Sequence, residues 1–214
     1  FQEQGGLVVV EVESAPVAGE WSAQTERSGY TGTCYYEWKH GSSGDTITSA
    51  GQGILEYRVN ITTTGRYTFQ FRTQQEANSE HNDTWLRFLD SDLIAHQNLG
   101  HNWTKVYTKN GTQKWGWYSK TKDHDPHTIY TDFNSPGEYR VQLSGRSNLH
   151  KVDRWVLYHE SVSSSSATNT SNPESPTGSG GNSSPTANLT ASPTTGQAPL
   201  TVSFDANSSD ADGD

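Results

Sequence analysis

Residues 55–72 read Leu55-Glu-Tyr-Arg-Val-Asn-Ile-Thr-Thr-Thr-Gly-Arg-Tyr-Thr-Phe-Gln-Phe-Arg72, with apolar side chains at every second position on both sides of a Thr-Gly-Arg turn signal. Period-two alternation with β-branched and aromatic residues is typical of strands that bury one face. Glycine between two such runs favours a turn. We therefore predict two strands, at residues 54–61 and 67–72, each with one apolar face.

The same pattern recurs outward from this stretch, and no segment has a convincing helical period. Further strands are predicted at residues 7–13, 33–38, 84–88, 104–107, 114–118, 128–133, 139–144 and 153–159. Trp85 and Trp155 lie on alternating strands, and we expect both in the core. Short strands at this spacing indicate an all-β fold, an antiparallel β-sandwich of the jelly-roll type.

The composition changes near residue 160, where Ser, Thr, Asn, Pro and Gly begin to supply nearly every position. Such a tract buries too little apolar surface to offset the entropy of ordering it, so residues 161–186 are predicted to be a flexible linker. Residues 187–214 place two short alternating stretches around Gly-Gln-Ala-Pro and resemble the truncated start of a PKD domain, an Ig-like sandwich common in secreted bacterial hydrolases. The expected organisation is a folded module at residues 1–160, a linker, and a PKD-like start, disordered at its C-terminal end and fused to further domains of a secreted protein.

Composition bounds the partners. The net charge is −9, and the 15 Lys and Arg residues are scattered, so nucleic acid is an unexpected partner. No apolar run approaches the roughly 20 residues that cross a bilayer, so no membrane association is expected. Cys34 is the single cysteine, which excludes an intramolecular disulfide and a cysteine-based metal cluster.

Several segments occur in a characteristic order: Glu11-Val-Glu13, Gly29-Tyr-Thr-Gly-Thr-Cys-Tyr-Tyr36, residues 55–72, Ser135-Pro-Gly-Glu-Tyr-Arg-Val-Gln-Leu143 and Val152-Asp-Arg-Trp-Val-Leu157. Together they resemble the β-jelly-roll carbohydrate-binding modules of families 6 and 35, over nearly all of residues 7–159. The resemblance implies a sandwich that binds polysaccharide of plant or algal cell walls.

Two carboxylates at alternate positions, Glu11 and Glu13, are expected on one side of the first strand. Oxygen ligands there could hold a hard cation, although calcium needs six to eight oxygens and therefore further donors. In the resembling modules a structural calcium lies at this place. The resemblance implies Glu11, Glu13 and Asp153 as its ligands, with the loop around residues 29–33. The alternative is a solvated strand face on which Asp153 pairs with an arginine.

Sugar-binding modules present aromatic platforms beside polar side chains. By resemblance, the expected contacts at the loop apex are Tyr36, Trp38, Trp115, Trp117, Asn148, His150 and Lys151. Trp115 and Trp117 are separated by one residue and should share a face, so both are core or both exposed. Lys151 stands where the family has an asparagine, which favours an anionic glycan.

These features favour a non-catalytic module that targets an appended secreted enzyme to a polysaccharide by stacking and hydroxyl hydrogen bonds. A jelly-roll polysaccharide lyase or glycosidase using His81 or His150 is an alternative, but its Gln-x-His and Tyr-Lys-x-Gly-x-Tyr signatures are absent. A structural or adhesion domain is a third possibility, and it predicts no exposed aromatic platform.

Overall fold

Strands dominate the computed structural model, which describes residues 1–41, 49–76, 81–91, 93–94, 98–100, 103–121, 126–178 and 189–206. A 3-10 turn at Val12–Ser14 and a short helix α1 at Ser164–Ala167 accompany them. The strands are β1 Leu7–Glu11, β2 Trp21–Gln24, β3 Tyr35–Trp38, β4 Leu55–Ile61, β5 Gly65–Gln74, β6 Asp83–Phe88, β7 Leu93–Ile94, β8 Asn98–Gly100, β9 Thr104–Tyr107, β10 Lys120–Thr121, β11 Ile129–Phe133, β12 Gly137–Ser144, β13 Lys151–His159, β14 Leu189–Ser192 and β15 Ser203–Ala206.

Two antiparallel sheets form the main body. The larger sheet has the order β2-β3-β13-β5-β11-β7-β8, with β1 also paired to β13, and the smaller has the order β10-β9-β6-β12-β4. The consecutive strands β4 and β5 lie in different sheets, and β11, β12 and β13 alternate between the sheets in the same way. This crossing of the chain from sheet to sheet is the predicted antiparallel jelly-roll sandwich.

The core lies between the two sheets and follows the alternation seen in the sequence. In β4, Leu55, Tyr57, Val59 and Ile61 are buried while the residues between them are exposed or half-buried. Phe69 and Phe71 of β5 and Trp155 of β13 join the same apolar cluster, so Trp155 is in the core as predicted. The period-two pattern of β4 therefore predicted both the strand and the face of the strand that points into the core.

One predicted strand is wrong. Residues 114–118 form no regular strand, although Gly116 makes a bridge to Thr73 of β5, with N–O distances of 3.0 and 3.1 Å in both directions. Gly116 thus pairs with the last part of β5, beyond the residues of β5 that pair with β11. The short strands β2, β7, β8 and β10 were not predicted, because two to four residues carry too little alternation to be distinguished from loops.

Residues 161–177 differ from the linker expected there. The first compact unit runs from Phe1 to Thr177, so its boundary is not after residue 160. Ala167 of α1 is buried against Val9 and Val156, and the Ser175 backbone NH donates to the Val9 carbonyl oxygen at 2.8 Å. Hydrogen bonds from β1 to Ser175 and Glu174 add to this limited apolar burial, and together they order the segment.

The second unit spans residues 178–214, and in it β14 and β15 pair as an antiparallel hairpin. The predicted linker residues 179–188 and the last part of the PKD-like piece, 207–214, lie outside the described residues. Within the described ranges, no helix is both long and apolar enough to cross a membrane.

Candidate functional site

Two carboxylates near the start of the chain and one from β13 contact the loop of residues 31–34. The Thr31 hydroxyl donates to Glu11 Oε2 at 2.8 Å, and the Thr31 backbone NH donates to Asp153 Oδ1 at 2.9 Å. The Thr33 hydroxyl donates to Glu13 Oε1 at 3.1 Å. The acidic side chains that the resemblance predicted as a group therefore surround one loop, and we call Glu11, Glu13 and Asp153 the carboxylate cluster.

Gly32 lets this loop lie against the cluster. Its φ is +65°, and a Cβ atom built there would lie 2.2 Å from Glu13 Oε1. A side chain at this position would therefore collide with the carboxylate as well as strain the backbone. The loop therefore needs glycine at position 32, because the backbone there packs closely against the carboxylate of Glu13.

Two arginines balance most of the negative charge. Arg154 pairs with Glu11 and Arg72 pairs with Asp153, which leaves one net negative charge for the cluster and its arginines. Burial raises the pKa of Asp153 to about 6, although the Thr31 and Arg72 hydrogen bonds lower it. The ionised form of this fully buried carboxylate is therefore held at an energetic disadvantage.

The cluster has partial features of a cation site. Glu13 Oε2 is buried and has no hydrogen-bond partner among the described residues. A buried unpaired carboxylate oxygen calls for a donor or a cation. No three His, Cys, Asp or Glu side chains in the described ranges stand together as a ready metal centre, and Glu11 and Asp153 are each turned to an arginine. Carboxylate oxygens are ligands that a hard cation prefers, but Glu13 Oε2 is the one oxygen of this cluster without a hydrogen-bond partner.

Two of the predicted sugar contacts lie in the core. Trp38 is 1% exposed, and its ring packs edge-on against Trp21 with centroids 5.2 Å apart. Tyr36 is 3% exposed, and its hydroxyl donates to the Ala15 carbonyl oxygen at 2.8 Å. A ring buried between sheets cannot stack on a sugar, so the placement of Tyr36 and Trp38 in the binding site is wrong.

The polar residues before β13 are also buried. The Asn148 side-chain oxygen accepts from the His40 backbone NH at 2.9 Å, and His150 Nδ1 lies 2.8 Å from the Thr84 hydroxyl. Burial lowers the pKa of His150 to about 3. Asn148 and His150 are therefore buried and hydrogen-bonded within the fold, and they do not face solvent.

Lys151 has internal partners as well. It is 2% exposed, and its Nζ forms ion pairs with Glu37 at 3.1 Å and with Glu76. A lysine whose charge is already compensated by two carboxylates has little left for a glycan. The expectation that Lys151 favours an anionic ligand is therefore not supported by its position.

Trp115 and Trp117 are both half-buried, on the outer side of the larger sheet. Trp117 packs against the cluster of Val9, Val156 and Tyr158. Trp115 donates from Nε1 to the Ser28 carbonyl oxygen at 3.0 Å. The two rings therefore share a face, as their spacing predicted, and both keep some exposed surface.

Trp115 is connected to the carboxylate cluster. The Arg72 guanidinium carbon lies 5.4 Å from the centroid of the Trp115 ring, and the same guanidinium pairs with Asp153. Tyr35 contacts the ring edge-on with centroids 5.2 Å apart. The half-exposed Trp115 ring is thus fixed by the Arg72 guanidinium over it and by the Tyr35 ring at its edge.

A second aromatic surface was missed. Trp85 of β6 is half-buried on the outer face of the smaller sheet, so its expected place in the core is wrong. The alternation within β6 could have predicted this position of Trp85. Thr84, Leu86 and Phe88 are buried, whereas Trp85 and Arg87 point to the other face of the strand. Trp103 lies beside them, under the Arg87 guanidinium.

No protein-family model and no curated sequence matches the chain. Solved structures do match. A family 35 carbohydrate-binding module from Clostridium thermocellum shares 18% identity at a TM-score of 0.45, over 72% of this chain and 98% of the module. A CBM35 from Paenibacillus barcinonensis shares 18% at 0.45, over 72% and 99%. A GH26-CBM35 β-(1,4)-mannanase from Podospora anserina shares 15% at 0.48, and this chain spans 28% of it. At this level of identity, function has to be argued from the residues of the chain itself.

Proposed function

We propose that residues 1–177 form a non-catalytic carbohydrate-binding module of a secreted protein, which holds the domains fused to it on a polysaccharide. The observation that carries the proposal is the meeting of Glu11, Glu13 and Asp153 around one loop beside the half-exposed ring of Trp115. The sequence resemblance implied Glu11, Glu13 and Asp153 as calcium ligands and, separately, Trp115 as a sugar contact. The ring supplies a stacking surface, and the neighbouring polar groups supply hydrogen bonds to sugar hydroxyls.

The contribution of Trp115 can be measured by affinity electrophoresis of the whole chain in gels that contain neutral or acidic plant and algal polysaccharides. Trp115→Ala should weaken retention on the polymer that retards the wild type by about tenfold or more, as expected for a central aromatic contact. Tyr130→Ala is the matched control, because the Tyr130 ring also lies 5.4 Å from a guanidinium carbon, that of Arg66. Equal retention of Trp115→Ala and Tyr130→Ala would remove Trp115 from the site.

We also propose that the carboxylate cluster holds a structural calcium ion. Glu11, Glu13 and Asp153 would supply oxygen ligands, and the unpartnered Glu13 Oε2 supports the assignment. Bound calcium would neutralise the negative charge of the carboxylates, and its ligands would connect the loop of residues 31–34 to β1 and β13. It would take no part in a reaction.

Calcium at a hundredfold excess over its dissociation constant should stabilise the folded chain by about 2.7 kcal/mol, or roughly 5–10 °C in Tm. Chelation should reverse the shift, and Glu13→Gln should abolish it. Glu26→Gln changes an exposed carboxylate and should keep it. Identical melting temperatures in calcium, in magnesium and in chelator, with no ion retained on dialysis, would contradict the calcium site.

A further inference from the structure

The carboxamide of Asn110 connects the two ends of its own loop and ties them to β5. Its Nδ2 donates to the Gly116 carbonyl oxygen at 3.0 Å and to the Thr73 carbonyl oxygen at 3.1 Å. Its Oδ1 accepts from the Tyr118 backbone NH at 3.1 Å. One side chain thus bonds the far end of the loop and the neighbouring strand at the same time. We call residues 110–118 the Asn110 loop.

The backbone around this carboxamide is fitted closely to it. A Cβ atom built at Gly116 would lie 2.4 Å from Asn110 Oδ1, so a side chain there would displace the amide. Gly116 also makes two backbone hydrogen bonds to Thr73, at 3.0 and 3.1 Å. Thr73 is fully buried, so the carboxamide reaches from the loop to backbone groups that water does not contact.

The middle of the Asn110 loop is exposed and strained. Residues 111–114 are all exposed, and Gln113 has a φ of +56°. Such a backbone conformation costs energy in a residue other than glycine. The Gln113 backbone NH donates to the Gln75 carbonyl oxygen at 2.9 Å. Exposed segments with few buried contacts open before the core unfolds, so we expect this loop to open locally.

The sequence places a reactive pair at the start of the loop. Asn110-Gly111 is the one Asn-Gly pair in the chain. In such a pair the deprotonated backbone nitrogen of glycine attacks the asparagine Cγ, because glycine has no side chain to shield it. A nitrogen–Cγ bond forms, ammonia leaves, and the succinimide takes up water to give aspartate or isoaspartate. The carboxamide must leave its hydrogen bonds for this attack, so the reaction occurs while the loop is open.

The product cannot remake the bonds of the carboxamide. A carboxylate oxygen in the place of Nδ2 would lie 3.0 and 3.1 Å from two carbonyl oxygens, which it would repel. The Thr73 hydroxyl, 3.3 Å from Nδ2, can turn to donate, but the carbonyl groups cannot. Placing the charge beside buried backbone adds a desolvation cost. Isoaspartate also lengthens the backbone by one carbon. Both products therefore favour the open loop.

We propose that the Asn110 carboxamide holds the Asn110 loop on β5, and that deamidation at Asn110-Gly111 releases the loop irreversibly. Trp115 and Trp117 lie in this loop, so the modification loosens both rings from their present contacts. The release itself is independent of the proposed function. Only one consequence rests on it: if Trp115 contacts sugar, the deamidated chain is retained less by the polysaccharide.

The modification can be followed by peptide mass spectrometry of the whole chain after incubation at mildly alkaline pH, with and without urea. We expect deamidation at Asn110 in both, and at least about tenfold faster in urea, where the carboxamide has no fixed partners. Equal rates with and without urea would show that the fold does not hold the carboxamide. Deamidation in urea alone would show that the folded chain is not modified. Either result overturns the proposal.

The release can be measured by limited digestion with trypsin, because Lys114 lies inside the loop. Asn110→Asp should raise the rate of cleavage after Lys114 at least about tenfold, the effect of losing two hydrogen bonds on local opening. Asn169→Asp is the matched control. The exposed Asn169 side chain accepts from the Ser171 backbone NH at 3.0 Å, and a carboxylate keeps this bond.

Three outcomes would contradict the release of the loop. The first is cleavage of Asn110→Asp after Lys114 at the wild-type rate. The second is general unfolding of Asn110→Asp, seen as loss of near-ultraviolet circular dichroism, because the carboxamide would then hold the whole sandwich. The third is wild-type cleavage of the naturally deamidated chain, which ion exchange separates by its added charge. These assays contain no polysaccharide, so their failure is distinct from failure of the proposed function.

Discussion

Glu3 shows how one buried carboxylate fixes two parts of the main body. Its Oε1 accepts from the Gly6 backbone NH at 2.6 Å, and its Oε2 accepts from the backbone NH groups of Thr62 and Thr63 at 2.8 and 2.7 Å. Burial alone would raise the pKa of Glu3, but these bonds and that of the Thr62 hydroxyl outweigh it and lower the pKa to about 2. The ionised carboxylate therefore stabilises the folded state.

Because the folded pKa lies below the unfolded one, this stability is present above about pH 4.5 and is lost as the pH falls toward 2. Glu3→Gln should lower the free energy of unfolding at pH 7 by roughly 2–3 kcal/mol, since buried donors lose a charged acceptor. Urea unfolding at pH 7 and at pH 2.5 measures this. The deficit should shrink at the lower pH, and the exposed control Glu160→Gln should show none. An unchanged midpoint for Glu3→Gln at pH 7 would refute the assignment.

Residue identity alone could not separate stacking rings from core rings. Trp38, Trp85, Trp115 and Trp155 all lie in alternating or aromatic segments, and whether a ring is buried depends on which sheet covers it. Trp155 lies in the core with Leu157, whereas Val156 and Tyr158 lie on the other face of β13. The carboxylate cluster was predictable only through the order of its motifs, since Asp153 and Glu11 come together by strand pairing across the whole main body.

At the scale of elements, residues 161–177 form a strap along β1. The Val9 backbone NH donates to the Ser175 hydroxyl at 3.0 Å, and the Glu11 backbone NH donates to Glu174 Oε1 at 2.8 Å. Arg154 adds a hydrogen bond to the Asn172 carbonyl oxygen at 3.1 Å. The strap therefore satisfies backbone groups that an open strand edge would expose to other chains.

A chain ending at residue 177 should melt like the full chain, whereas one ending at residue 160 should lose about 3 kcal/mol, or roughly 5–10 °C in Tm. The loss reflects several hydrogen bonds and the burial of Ala167. Calorimetry of the three chains measures it, and light scattering should show association of the shortest one through the opened β1 edge. If the chain ending at residue 160 melted with the others, the strap would be only a linker resting on the surface.

Composition misjudged this element for a physical reason. Low apolar content predicts disorder when stability must come from hydrophobic burial. Here Ser175 and Glu174 instead supply acceptors to backbone NH groups of β1 that would otherwise lack partners. The long strands β4 and β5 could be predicted because each repeats the alternation over seven or more residues, and β13 because it carries a run of apolar and aromatic residues. Residues 114–118 are also rich in aromatic residues, but they make only an isolated bridge to β5 and therefore form no strand.

At the scale of the whole molecule, the chain divides into a sandwich and a second unit that begins at Gly178. If the sandwich binds sugar as proposed, it would raise the effective concentration on the polymer of any domain fused to it, without adding a contact between that domain and the polymer. Half-exposed tryptophans lie on both sheets of the sandwich, Trp115 beside the larger sheet and Trp85 on the smaller one. This account requires binding without chemical change of the glycan.

The most direct test is affinity electrophoresis of the wild-type chain in gels of neutral and acidic plant and algal polysaccharides, with reducing ends measured in parallel. The account predicts retardation by at least one polymer, with no reducing ends released from it. Migration unaffected by every polymer would contradict carbohydrate binding and favour a structural or adhesion role, and release of reducing ends would contradict a non-catalytic module.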